Sequence, residues 1–347
     1  MAHLKMKELS ISSKDNVNRS PTLPQVSTQI ELYLKNVMDS FSCDENDNSS
    51  TIIANPSQKI FDILTSRRYC YLSKTQASKF SSKTIKRIKT FTDKNRPVNF
   101  YYDLGGGYRA STLPGQTHLN YEVGLGEFLA LHQVAIFVRE IKNIYPPGAY
   151  FYIVIDNLCA LFTNDILLNN TSHYIAQLRQ LLDQTSLNDR VALLVESETF
   201  PVSSYHAEFI KNSQKTENIS LTSAEHENVN RFLGRECDTK EAIERVMRYQ
   251  SASEATESMI QPFINGIRLT QRANQNTLCF RSFKGGDQRI QAGSMALSLE
   301  PGGKIKPILL TSRNIDRYER INLPAPDFLP KIISEIIFAR PIHTQSK

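Results

Sequence analysis

The stretch Tyr145–Asp165, YPPGAYFYIVIDNLCALFTND, decides the fold. Tyr145-Pro146-Pro147-Gly148 sets two residues of fixed φ before one that tolerates positive φ, so it ends whatever helix precedes it. Ala149–Ile155 is aromatic and β-branched and carries no charge, which is the composition of a strand buried inside a sheet. The run stops at Asp156-Asn157. Open α/β sheets place their chemistry at the C-terminal ends of buried strands, and Asp156 falls there. The competing reading is an Asp that caps the next turn. Leu158–Asp165 then bends back toward a second acid, Asp165.

Upstream, Pro97–Leu104 reads as another strand, and Gly105-Gly106-Gly107-Tyr108-Arg109-Ala110-Ser111-Thr112 follows it directly. A glycine run after a strand lets backbone amides come close to an anion. Gly106, Gly107 and Ser111 are therefore candidate phosphate contacts, with Arg109 as countercharge. The loop is neither a P-loop nor a GxGxxG turn, because no GK[ST] follows and no helix opens there. Phe128, Leu131, Val134, Ala135, Val138 and Ile141 repeat at three and four, so Glu122–Asn143 is an amphipathic helix. Strand, loop, helix and strand make a βαβ crossover with parallel neighbours. Downstream, Ser172–Leu182 is helical and Arg190–Ser197 is a third buried strand, ending at Glu196. The glycine loop, Asp156 and Glu196 would line one edge of a sheet.

Further out the signals are local. Residues 1–27 are polar and Ser/Asn-rich, the composition of a disordered tail. Thr28–Phe41 has helical spacing and either docks on the core or faces a partner such as a second copy. Ile60–Leu64 is a short helix ending at Arg67-Arg68. Ser81–Phe91 carries Lys83, Lys86, Arg87 and Lys89 around Ile85 and Ile88, a solvated face or a nucleic-acid stripe. Residues 201–221 are read as a surface loop or lid. Ala224–Leu233, Lys240–Tyr249 and Glu257–Ile264 are read as helices. From about Gly266 the chain turns β-rich: Gly266–Gln271, Thr277–Phe283, Ser294–Leu299 and Lys304–Thr311, with a hairpin turn at EPGGK. Arg268 and Arg272 could project into a cleft. Phe328–Phe338 is expected to be a C-terminal helix. The fold class that follows is α/β, a Rossmann-like mixed sheet with flanking helices and an antiparallel β-rich C-terminal part.

Composition narrows the chemistry. With 347 residues, 40% hydrophobic and 22% charged, the chain is ordinary for a globular protein, and its net charge of +6 suits an anionic substrate or nucleic acid. Cys43, Cys70, Cys159, Cys237 and Cys279 are scattered with no CxxC, which argues against a disulfide framework or a zinc site. No signal-peptide core is visible and no run approaches the roughly 20 apolar residues of a membrane span. The expected location is cytoplasmic, away from membranes. HExxH and GxSxG are absent, so the candidate actors are carboxylates and arginines working by general acid–base and electrostatic chemistry.

The order of these pieces resembles the isocyanide (isonitrile) synthase family, which includes the pyoverdine/paerucumarin and yeast dityrosine biosynthesis proteins. The resemblance runs over roughly residues 57 to 320. It rests on IFDILTSRRY with its paired Arg67 and Arg68, on TIKRIKTFTDKNRPVNF, on IYPPGAY at the end of the long helix, on Ile155-Asp156-Asn157, on Thr163-Asn164-Asp165, on Tyr174 in the following helix, and on Arg268-Leu269-Thr270-Gln271-Arg272-Ala273. GGGYRAS stands where the family has Phe-Pro-x-Lys-Ser, so Arg109 replaces a lysine. Arg272 replaces a histidine. Arginine holds a phosphate or carboxylate well but cannot act as a base or form a Schiff base at neutral pH.

The resemblance implies a single domain over residues 28–347. It implies condensation of an L-amino acid with ribulose 5-phosphate to an amino-acid isocyanide, without metal or organic cofactor. It assigns Asp156, Glu196 and Asp165 to proton transfer, and Gly106, Gly107, Arg109, Ser111, Arg268 and Arg272 to substrate or phosphate. Two other readings remain open. One is a binding protein on the same fold that has lost catalysis. The other is a nucleic-acid or partner-binding protein built on Lys83–Lys89.

Overall fold

The computed structural model describes residues 22–41, 55–66, 68–70, 79, 81–103, 109–110, 119–120, 123–214, 220–223, 226–227, 229–230, 236–270, 278–279, 294–300, 302–310 and 314–342. Strands β1 (Val98–Asp103) and β4 (Ala149–Ile155) lie side by side and parallel, with Val98 opposite Ala149 and Asp103 opposite Val154. The turn before β4 works as its residues dictate. Gly148 adopts φ 74°, its N–H donates to Tyr145 O at 2.7 Å, and its carbonyl accepts from Val98 N at 3.0 Å. One glycine thus ends a helix and aligns two strands.

Between β1 and β4 the chain forms β2 (Arg109–Ala110), β3 (Leu119–Asn120) and the crossover helix α4 (Leu125–Ile144). Among the described residues, three helices precede β1: α1 (Leu23–Phe41), α2 (Pro56–Leu64) and α3 (Ser81–Thr92). After β4 come α5 (Asn157–Asn164), α6 (Leu168–Gln184), β5 (Val191–Val195), α7 (Glu196–Thr199), α8 (Val202–Ser213) and α9 (Thr239–Ile264). Next are β6 (Ile267–Thr270) and β7 (Leu278–Cys279). The first sheet runs β5-β4-β1-β6-β7 with every neighbouring pair parallel.

Side chains alternate between the two faces of that sheet. On one face Phe137 of α4 meets Phe100 at 5.1 Å and Phe151 at 6.2 Å, edge to face. On the other, Tyr101, Val154 and Leu194 meet Ile260 and Ile264 of α9. Helix α1 buries Val26, Ile30, Leu34 and Val37 against the main core. Each such side chain contributes about 1.5–3 kcal/mol, so this face of α1 is docked on its own chain.

A second sheet follows: β8 (Ser294–Leu299), β9 (Ile305–Leu310), β10 (Tyr318–Pro324) and β11 (Glu335–Pro341), in the order β10-β11-β8-β9. β8 and β9 form the expected hairpin, with Gly302 and Gly303 at φ 98° and 83°. β10 and β11 are antiparallel, and β11 joins β8 in parallel at Phe338 and Leu297.

Several expectations are corrected. Phe328–Phe338 is not a helix. Pro330 interrupts it, Leu329 and Ile333 close short turns onto Pro326 O and Pro330 O, and Glu335 onward becomes β11. The assigned tail ends too late, because α1 begins at Leu23; Thr22 N bonds Gln25 Oε1 at 3.0 Å, half of a capping box. Residues 202–213, read as loop, form α8, which buries Tyr205 and Asn212. The two helices expected within 240–264 are one. Its polar-looking middle buries Ser251, Ala252, Ala255 and Thr256, residues small enough for close helix packing. β6 belongs to the parallel sheet, beside β1, and not to the later β-rich part. Much of the expected helix Ala224–Leu233 lies outside the described residues.

His132 of α4 is packed, with its ring 5.7 Å from that of Phe41. Burial first, then Arg68 and Arg139, push its pKa down to about 4. The unfolded imidazole takes a proton near 6.5, whereas the folded one resists until about 4. Stability is therefore unaffected above pH 6.5 and falls as the pH drops toward 4, by up to roughly 3 kcal/mol from this residue. We expect His132→Gln to lose less stability than wild type between pH 7 and pH 4.5 in urea titrations. Equal losses would remove His132 from the account.

Candidate active site at the C-terminal edge of the parallel sheet

Ile155 is paired with Val195, so the next residues, Asp156 and Glu196, emerge side by side from neighbouring strands. Their backbones are about 4.8 Å apart at that level. Each opens a helix. Asp156 is the N-cap residue of α5, and its carbonyl accepts from Ala160 N at 3.0 Å, yet its side chain makes no capping bond. The cap comes from the neighbouring strand. Glu196 Oε2 accepts from Leu158 N at 3.0 Å and Cys159 N at 3.1 Å, the amides that open α5. Glu196 Oε1 accepts from Thr256 Oγ1 of α9 at 2.6 Å.

Glu196 is fully buried, and three donors converge on it. These bonds tie β5, α5 and α9 into one unit. A second clamp lies beside it: Asn157 Nδ2 donates to Ser197 Oγ at 2.8 Å, and Ser197 N donates to Asn157 Oδ1 at 3.1 Å. Tyr205 of α8 closes the inner wall, donating to Ala252 O at 2.7 Å and lying 3.0 Å from Thr256 Oγ1. Burial, then Cys159, Glu196 and Asp156, raise its pKa far above the usual phenol range, so it stays neutral. Asp156 is half-buried at the margin of this cluster.

The entry to α4 is fixed at the same edge. Gly124 N donates to Glu127 Oε2 at 3.0 Å, Val123 N donates to Gln177 Oε1 at 2.8 Å, and Tyr174 OH donates to Glu127 Oε1 at 3.3 Å. Helix α6 therefore holds the point where the chain leaves the segment that carries the glycines. Within that segment β2 and β3 pair antiparallel, Arg109 opposite Asn120, so the backbone of Arg109 belongs to a two-strand ribbon inserted between β1 and α4. Gly106, Gly107, Ser111 and Arg272 lie outside the described residues, as does Arg67.

The other expected site residues are placed elsewhere. Asp165 is at the far end of the eight-residue α5, about 12 Å along the axis from Asp156. It is exposed and pairs with Arg248 at 3.1 Å. Arg268 pairs across the sheet with Tyr101, which is level with Tyr152, four residues before Asp156 on β4. Two strands over and four residues back puts the two Cα atoms about 16 Å apart. Arg268 is 14% exposed and bonds Glu257 of α9 at 2.6 Å. Arg68 pairs with Glu140 at 2.7 Å, far from the two adjacent acids in the helix that crosses the sheet.

Sequence reasoning missed Glu127, Thr256 and Tyr205. A glutamate three residues after Gly124, at the start of an apolar helix, is a capping-box signal that could have found Glu127. Thr256 and Tyr205 have no local signal, since each meets its partner only through the tertiary fold.

With this geometry in place, residues 120–267 match the family model described as pyoverdine/dityrosine biosynthesis protein. That is the family the sequence layout resembles. The matched segment contains α4, β4, α5, β5 and α9, and with them Asp156, Glu127 and Glu196. Among solved structures, the PvcA protein from Pseudomonas aeruginosa superposes with a TM-score of 0.60 at 14% identity, covering 83% of this chain and all of its own. The pyoverdine/dityrosine fold therefore extends over most of this chain. Tyrosyl-tRNA synthetase from Aeropyrum pernix also aligns, with a TM-score of 0.34 at 12% identity over 62% of this chain and 52% of its own. No curated protein matches in sequence. No helix among the described residues is long and apolar enough to cross a membrane.

Proposed function

We propose that the chain is an isocyanide-synthase-like enzyme of secondary metabolism. It converts the amino group of an L-amino acid to an isocyanide, with a sugar phosphate such as ribulose 5-phosphate as carbon donor. The observation that carries this reading is the pair of adjacent strand-end carboxylates, one committed to structure and the other not used as a cap, inside the segment that matches the pyoverdine/dityrosine family. Condensing an amine with a ketone requires protons to be delivered and removed at the reacting nitrogen and oxygen. In this reading Asp156 moves those protons and Glu196 holds α5, and so Asp156, in position.

Arg109, with Gly106, Gly107 and Ser111, is the proposed seat of the phosphate, on the segment between β1 and α4. Arginine there binds the anion and leaves acid–base work to the carboxylates. Arg272 is assigned a supporting part in drawing the anionic substrate toward this end of the sheet, whereas Arg268 is committed to Glu257.

The test is incubation of the protein with an amino-acid pool and ribulose 5-phosphate, followed by mass spectrometry. Consumption of one amino acid with appearance of its isocyanide is the expected result. Saturable binding of both substrates with no amino acid consumed would replace this reading with a binding protein on the same fold.

A further inference from the structure

A groove of about 500 Å³ opens at the opposite, N-terminal edge of the first sheet. Its floor is aromatic. Tyr150 and Tyr152 are alternate residues of β4, so both project from one face, with ring centroids 4.9 Å apart. Its wall is basic. Arg87 of α3 sits with its guanidinium 5.6 Å over the ring of Phe91 and donates to Asn265 Oδ1, at the residue that ends α9. Lys94 and Arg96, in the turn between α3 and β1, are exposed along the rim. None of the ten residues that line the groove is acidic.

These features select a ligand. Three cations around a concavity without a carboxylate attract an anion, and low-dielectric walls focus that attraction. Two tyrosine rings inclined at 52° on a half-buried sheet face offer one ring to stack on and a second to meet edge-on, and their hydroxyl tips tolerate a polar ring. The volume falls in the range of small-molecule sites, about 300–1,000 Å³. Arginine and lysine at one rim also suit a phosphate, which accepts several N–H donors at once.

We propose that this groove binds a planar aromatic ring carrying a phosphate, the chemistry of a nucleoside monophosphate. The ring stacks on Tyr150 and meets Tyr152 edge-on, and the phosphate is held by Arg96 and Lys94, with Arg87 as the second wall. The site is separate from the Asp156–Glu196 edge, since Tyr150 lies at the opposite end of β4 from Asp156. A ligand there would act on the enzyme from the far end of the same strand.

The test is calorimetric titration of the full chain with adenosine monophosphate in low salt, beside adenosine and inorganic phosphate alone. Saturable binding is expected, weaker by at least about tenfold for either fragment. Arg96→Glu and Tyr150→Ala should each weaken it by about tenfold or more. Arg96 is an exposed turn residue, so its variant should melt like wild type. Asp156→Asn should leave this binding unchanged, which separates it from the proposed reaction. Absence of binding at millimolar nucleotide, equal binding by phosphate alone, or indifference to both groove variants would overturn the proposal. So would an oligothymidylate of about ten nucleotides binding more tightly than the mononucleotide, with a steep salt dependence, which would make the groove a nucleic-acid surface.

Discussion

On the proposed function, Asp156→Asn is expected to lower turnover of amino acid and ribulose 5-phosphate by about 10²–10⁴-fold, the usual contribution of a positioned general acid or base. The reason lies in what Asp156 does not do. Its carbonyl opens α5, but its carboxylate takes no part in capping, because Glu196 supplies the cap. The amide is nearly the same shape and leaves the carbonyl untouched. The variant should therefore stay folded while losing the proposed chemistry. Substrate affinity should change far less than kcat, since in the proposed reaction the lost group acts on protons in the transition state. Wild-type turnover in this variant would make Asp156 a turn residue. A loss of turnover that tracks a loss of stability would move it into the scaffold.

Glu196→Ala is expected to cost the fold about 3–4 kcal/mol. The side chain is fully buried, and its removal takes the acceptor from the amides of Leu158 and Cys159, leaving the Thr256 hydroxyl with Tyr205 alone. Buried donors without acceptors cost about 1–3 kcal/mol each, moderated by local relaxation. Glu196→Gln should fall between, because the amide oxygen can still accept from the helix and the new NH2 group can donate to a reoriented Thr256 hydroxyl, while bonds to a carboxylate are replaced by weaker ones to an amide. The denaturant midpoints should rank wild type, Gln, Ala. Should the alanine variant unfold like wild type, the cap has no energetic weight and Glu196 returns to the list of proton carriers.

Much of the first sheet was legible because its signals are local. The Pro-Pro-Gly turn, the uncharged run Ala149–Ile155 and the apolar stripe of Glu122–Asn143 each name their own structure, and together they imply the parallel β1–β4 pair. The adjacency of Asp156 and Glu196 was legible too, as two acids ending two buried strands. What could not be read was the division of labour between them, which depends on Thr256 some 60 residues further along the chain. The C-terminal strand β11 was misread because Phe328, Leu329, Ile332, Ile333 and Ile336 keep helical spacing. The prolines at 326 and 330 outweigh that spacing, and the free edge of β8 gives the segment a sheet partner. Arg268 was read as a cleft residue because strand position alone does not reveal an acid such as Glu257 arriving from a helix overhead.

The cap that Glu196 places on α5 also sets an order of events. An eight-residue helix is too short to persist alone in water. Its opening amides find their acceptor 37 and 38 residues later in the chain. During synthesis, α5 must wait until β5 has been made and has paired with β4. The proposed active site is therefore among the last parts of the matched segment to consolidate, and the first to feel any slowing of β5 pairing. Truncations of Leu161 and Phe162, the half-buried residues of α5, should speed unfolding and leave the refolding rate almost unchanged.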